Sequence, residues 1–201
     1  MDFSLPGDIA HHALAPPGRM EQLKELFSTD APPKIAAVML CCYPKADGQY
    51  YFPLIQRPRY QGHHSGQMAF PGGKLEAGDA SLWNTALRET QEEIGIHPKE
   101  VKLLKELTTL FIPPSNFKVT PFLAVMESAP NLIADPTEVA HIVEIKLATL
   151  VQLPVTNTLV TNSYMQAVEV PCFELAKSPV WGATAMMLSE FKFLLEAHLS
   201  N

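Results

Sequence analysis

Cysteine is scarce in this chain of 201 residues: there are three, two of them adjacent at Cys41 and Cys42. That number and spacing exclude a disulfide framework and a zinc-ligand pattern. The cysteines read instead as small buried residues of a reduced compartment. Long apolar runs are missing too, none approaching the ~18 to 20 residues that a membrane-spanning helix needs. The N-terminus, Met1-Asp2-Phe3-Ser4-Leu5-Pro6, lacks the basic-then-apolar layout of a secretion signal. A cytoplasmic location is the expectation. Positive charge is in deficit, with 15 Lys and Arg against 21 Asp and Glu for a net charge of −6. This balance disfavours long nucleic acids, whose binding relies on neutralising phosphates. It also repels a small polyphosphate, so attraction to one must come from metal ions and a few local bases. Internal repeats and low-complexity stretches are absent.

What is present is an ordinary globular balance, 47% hydrophobic and 18% charged, in a length suited to one domain. Residues 1–33 form an N-terminal extension, with a short helix expected over Met20 to Phe27 between Pro16-Pro17 and Pro32-Pro33. Residues 34–201 form the main domain. Strands are expected at Lys34 to Tyr43 and Tyr50 to Arg57, joined by a turn at Asp47-Gly48 as a hairpin. Further strands are expected at Gln67 to Phe70, Val101 to Thr109, Lys118 to Met126, Val139 to Ile145 and Tyr164 to Val170. A short helix is expected at Ala148 to Leu153, and a long apolar one opening at Trp181-Gly182 and ending near His198. Its Met186, Met187, Phe191, Phe193 and Leu194 read as core. Strands with helices on either side make this an α/β chain, a mixed sheet sandwiched by helices.

The densest chemistry lies in Gly72-Gly73-Lys74-Leu75-Glu76-Ala77-Gly78-Asp79, running on to Arg88-Glu89-Thr90-Gln91-Glu92-Glu93-Ile94-Gly95-Ile96. A glycine loop feeds a helix with Ser81 as N-cap and Gly95 as its left-handed stop. At about 100° per residue, Glu89, Glu92 and Glu93 fall within roughly a 100° arc. Trp83, Leu87, Thr90 and Ile94 form a packing stripe turned roughly 130° away. Like charges at these spacings destabilise a helix by a few tenths of a kcal/mol per pair. A hard divalent cation such as Mg²⁺ or Mn²⁺ removes that penalty, because it prefers carboxylate and carbonyl oxygen. A merely solvated acidic face is the plain alternative, and the flanking glycines argue against it.

The run resembles the signature box of the Nudix family, hydrolases of nucleoside diphosphates linked to another group. Gly73, Arg88, Glu89, Glu92, Glu93, Gly95 and Ile96 match that pattern. Asp79 stands at the first Glu position, Thr90 at an apolar one, and Gly73 and Arg88 are one residue further apart than the pattern has them. Upstream, Leu54-Ile55-Gln56-Arg57-Pro58-Arg59 and His64-Ser65-Gly66-Gln67-Met68-Ala69-Phe70-Pro71-Gly72-Gly73 resemble the additional motif of the coenzyme A pyrophosphatase branch. So do the inserted residue, Asp79-Ala80-Ser81 and Thr85-Ala86-Leu87-Arg88-Glu89. Gln56 and Pro58 depart from that motif, and Arg59 falls too early for its basic position.

The resemblance covers roughly residues 34 to 198 and implies a Nudix-type α/β/α sandwich. It implies Glu89 and Glu93 as metal ligands and Glu92 as a further ligand or the group activating water. The Gly73 carbonyl would add a backbone ligand for Mg²⁺ or Mn²⁺, with Arg88 orienting a neighbouring carboxylate or contacting substrate. Arg57 and His64, with Gly72 and Gly73, would bind the substrate, and His63 and Arg59 are weaker candidates. Glu138, from Pro136-Thr137-Glu138-Val139, is a candidate base, or else a surface turn residue. The expected reaction splits coenzyme A or its thioesters into 3′,5′-ADP and a 4′-phosphopantetheine part. The alternatives are another dinucleotide, such as ADP-ribose or NADH, or a ligand-binding module without catalysis. No membrane partner is expected, and a homodimer is a family-level expectation.

Overall fold

The computed structural model describes residues 5–26, 32–61, 64–162 and 165–199. The chain begins with two helices, α1 (Asp8–His12) and α2 (Arg19–Leu26). It continues through β1 (Lys34–Pro44), β2 (Tyr50–Gln56), β3 (Met68–Ala69) and β4 (Gly72–Lys74) into α3 (Leu82–Ile94). Next come β5 (Lys102–Glu106), β6 (Leu110–Ile112), β7 (Phe117–Val125), β8 (His141–Lys146) and α4 (Leu147–Gln152). The chain ends in β9 (Thr156–Asn162), β10 (Met165–Leu175), β11 (Ser178–Trp181) and α5 (Gly182–Leu199).

The first eight strands make one mixed sheet, in which β1 runs parallel to β7 and every other pairing is antiparallel. Strands β9 to β11 form a second, antiparallel sheet. Because successive strand residues face opposite ways, β1 divides its apolar residues between two cores. Ala37, Met39, Cys41 and Tyr43 pack on one face with Ala86 and Ile94 of α3. Ala36, Leu40 and Cys42 pack on the other with Met186, Met187 and Phe191 of α5. This is the expected sandwich. Burial pushes the Cys41 thiol up to about 12, and Cys42 higher, so both behave as small apolar residues.

Several boundaries moved, for local reasons. The expected Val101 to Thr109 strand stops at Glu106, before the Thr108 amide turns aside to donate to Glu190, and a separate β6 follows. The hairpin of β1 and β2 pairs only at Tyr43–Tyr51 and Pro44–Tyr50, because further along β1 pairs with β4 and β2 with β3. Phe193 is 47% exposed rather than core, since it lies two residues, about 200°, from buried Phe191 on the helix. Phe27, His63 and Tyr164 lie outside the described residues.

Candidate active site

Ser81 caps α3 by accepting the Asn84 amide at 3.2 Å, and Gly95 ends it at φ +78°. The helix C-terminus has a second stop. The Ile133 amide donates to the Ile94 carbonyl at 3.0 Å and the Asp135 amide to Glu93 O at 2.9 Å. These bonds satisfy carbonyls a helix end leaves open, and they lay the loop after β7 alongside α3. That loop delivers Glu138. Carboxylate oxygens of Glu89, Glu93 and Glu138 all come within 4.8 Å of one another. Glu92 stays apart from this cluster. Its side chain is 55% exposed and pairs with Arg88 at 2.9 Å.

Glu93 is buried among these groups and faces the glycine loop, where its Oε2 accepts the Gly72 amide at 2.8 Å. Burial pushes its pKa up to about 7, against the pull of that amide and of Arg57, and the neighbouring Glu89 and Glu138 raise it further. Burial likewise raises Glu89, opposed by Arg88. The loop is built for close approach. A Cβ on Gly72 would collide with the Ala37 carbonyl oxygen, and one on Gly73 would lie 2.5 Å from the Glu89 carboxylate.

The strand register also decides which loop peptide faces the glutamates. Pro71 accepts from the Met39 amide, Leu75 donates to Ile35 O, and Gly73 lies opposite Ala37 between them. Antiparallel pairs alternate, so Gly73 spends its peptide groups on Ala37. Gly72 turns its own away from β1, toward Glu93. The expected Gly73 carbonyl is therefore engaged in the ladder, and Gly72 presents the peptide on the carboxylate side.

Arg88 is held on several sides. Its Nε and Nη2 donate to the two Asp79 oxygens, each at 3.0 Å, and Nη1 donates to Glu89 and Glu92 at 2.9 Å. Nη2 also reaches the Lys74 carbonyl at 3.1 Å. The guanidinium holds Asp79 well below the usual carboxylate range. Arg88 thus fastens the loop to the helix and orients two glutamates. Asp79, at the box's first acidic position, is its anchor.

A cleft of about 1610 Å³ opens over this centre, lined by Glu89, Glu93, Glu138, Gly72 and Gly73 together with Arg57 and His64. No carboxylate among the described residues pairs with Arg57. His64 sits at φ +67° with Nδ1 3.0 Å from Gln67 Oε1 and Nε2 3.1 Å from Ser115 Oγ. It ties its loop to the short 3₁₀ turn before β7. Arg59 is exposed on the same loop.

Three carboxylates crowded within 4.8 Å, with one glutamate buried, are a donor set suited to a hard divalent cation. A glycine loop and a carboxylate helix set on a mixed sheet define a class of metal-assisted hydrolases. The chain belongs to the Nudix family: residues 33–165 match the NUDIX domain. It is 32% identical over 157 residues to NudL of Photorhabdus laumondii, a Nudix hydrolase itself uncharacterized, covering 77% of this chain and 81% of that one. NudL of Salmonella paratyphi B is 36% identical over 143 residues, 68% of this chain and 71% of that one. Among solved structures, the Nudix hydrolase RenU of M. smegmatis superposes with TM-score 0.56 at 14% identity, over 83% of this chain and 88% of that one. The MutT protein of Methanosarcina mazei gives 0.53 at 17%, over 84% and 99%. These two likenesses speak for the fold alone. The protein is a Nudix hydrolase, a pyrophosphatase acting on nucleoside diphosphate derivatives, and such hydrolases generally use Mg²⁺ or Mn²⁺. No helix among the described residues is long and apolar enough to cross a membrane.

Proposed function

We propose that the protein hydrolyses the pyrophosphate bond of coenzyme A or its thioesters, giving 3′,5′-ADP and 4′-phosphopantetheine derivatives. One observation carries this reading: Arg57, His64, Gln67, Phe70, Gly72 and Gly73 of the coenzyme A-type motif line the same cleft as the glutamates. The size of that cleft agrees, since about 1610 Å³ exceeds the ~300–1,000 Å³ of common small-molecule pockets. An extended dinucleotide-like substrate needs such room.

In this reading Glu89 and Glu93 would hold the metal with the Gly72 carbonyl, Glu92 would add a ligand on the exposed side, and Glu138 stands beside them. When bound, Mg²⁺ or Mn²⁺ neutralises phosphoryl oxygen charge and lowers the pKa of water. Arg57 binds a substrate phosphate, and His64 holds the loop edge against which it lies. Glu138 accepts the proton of the attacking water as its oxygen bonds to phosphorus, and the bridging P–O bond breaks. Glu138 is exposed and has no cation paired to it among the described residues, which suits a proton acceptor. Arg88, already bonded on several sides, keeps the carboxylates in place and does not meet substrate. Residues 34–201 carry the activity and residues 1–33 serve it as an extension. Three buried free cysteines agree with a cytoplasmic home.

The test is turnover of coenzyme A, ADP-ribose and NADH side by side with Mg²⁺ and with Mn²⁺, the products identified by mass. Coenzyme A should be cleaved best, to 3′,5′-ADP. A clear preference for ADP-ribose overturns the assignment.

A further inference from the structure

The family's domain does not supply every wall of the cleft. Pro16, Pro17, Arg19 and Gln22 also line it, and all precede residue 33, where the family match begins. This segment is fastened to the body. Leu14 is fully buried in the α5-side core. His11 Nε2 lies 3.3 Å from Oε2 of Glu190, a carboxylate buried in α5 that also takes the Thr108 amide at 3.1 Å and hydroxyl at 2.6 Å. Two successive prolines then stiffen the approach to α2.

Arg19 stands at the start of α2 and is half-buried. Its Nη2 donates to the Phe111 carbonyl at 2.7 Å, which uses one of five N–H donors. No carboxylate among the described residues lies within 4 Å of it. Arg88 makes the contrast, with two oxygens of Asp79 and one each of Glu89 and Glu92. A guanidinium taken partly out of water, on which Asp8 acts only from a distance, on a chain of net charge −6, is matched by an anion in the cleft. The fork of donors suits a phosphate.

The sheet sets the backbone span between the glycine loop and the carbonyl that Arg19 holds. A bound metal at one end and the guanidinium at the other would take up part of it. From Gly73 the path to Phe111 crosses β4, β1, β7 and β6. That is three strand spacings, about 14 Å. A substrate touching both ends carries a phosphate removed from its pyrophosphate. We propose that Arg19 is a specificity-determining residue that binds a substrate phosphate remote from the scissile bond. In the coenzyme A reading, on which the choice of substrate rests, this is the 3′-phosphate. Lys34 lines the same wall and adds charge.

Binding and turnover are measured on the full chain with Arg19 intact, Arg19→Gln and Arg19→Lys, each checked for an unchanged melting temperature. Calorimetry compares 3′,5′-ADP with 5′-AMP, which differ only in the remote phosphate. The wild type should bind 3′,5′-ADP about tenfold tighter, the scale of a charge-assisted pair. Arg19→Gln should remove that difference and Arg19→Lys restore part of it. In turnover, Arg19→Gln should raise KM for coenzyme A while kcat and the kinetics of 3′-dephospho-coenzyme A hold. No preference in the wild type, or an equal loss for both nucleotides, overturns the proposal. A binding preference lost in Arg19→Gln, in a protein that cleaves no coenzyme A, upholds the subsite and removes the coenzyme A reading.

Discussion

The Gly72 amide donates to Glu93 Oε2 at 2.8 Å, so a buried helix carboxylate and the glycine loop before it form one unit. Whatever changes the charge on Glu93 is felt by the loop.

That unit makes metal-free stability depend on pH. Glu93 titrates near 7 in the fold against an ordinary value of 4.5, because it is buried. A raised value means the native state holds the proton more tightly than the unfolded chain. The stabilisation is therefore complete below the unfolded value and is lost as pH rises through about 7, a loss on the order of 3 kcal/mol. Melting curves in EDTA should fall from about pH 5 to about pH 8. Glu93→Gln should flatten that fall, and Mg²⁺ should reverse it in the wild type only. A pH-independent wild-type melting temperature would count against the account.

The two loop glycines should fail differently. Gly72 sits at φ +144° against the Ala37 carbonyl, so Gly72→Ala should cost about 3 kcal/mol or more in stability. Gly73→Ala keeps an ordinary backbone but drives its methyl into the Glu89 carboxylate. Its melting temperature should move less, while the Mn²⁺ concentration for half-maximal activity rises about tenfold. Thermal melts and metal titrations of both variants separate the two effects.

Arg88→Lys keeps the charge but cannot span Asp79, Glu89 and Glu92 together. Misplacement of groups in this way costs on the order of 10²-fold in rate. We expect kcat to drop by that scale with KM nearly constant. An increase confined to KM would instead make Arg88 a substrate contact.

Glu138→Gln distinguishes proton acceptor from ligand. As an acceptor, its loss should lower kcat by roughly 10²- to 10⁴-fold. Recovery of full activity at high Mn²⁺ would make it a ligand only.

Much of this was legible in sequence because it is local. Ser81, Gly95 and the spacing of Glu89 and Glu93 fix a helix and its charged face within one short stretch. Glu92 shares that arc but not the cluster, because Arg88 draws it outward, and helical angle alone does not see a competing partner. The meeting of Glu138 with Glu93 depends on Ile133 and Asp135 bonding to the end of α3, a contact made across the fold. The choice of Gly72 over Gly73 needed the pairing register with β1. Strands β9 and β11 escaped notice for another reason. β9 is largely exposed and polar, and β11 contains Pro179, which weakens a strand signal.

The buried His11–Glu190 contact joins the two ends of the chain behind the cleft. A chain trimmed to residues 33–165 would keep Glu89, Glu92, Glu93 and Glu138. It would still lose the α5 side of the core and the slot filled by Leu14, along with the wall that carries Arg19. The boundaries that identify the family are thus narrower than the folded unit whose residues enclose the cleft.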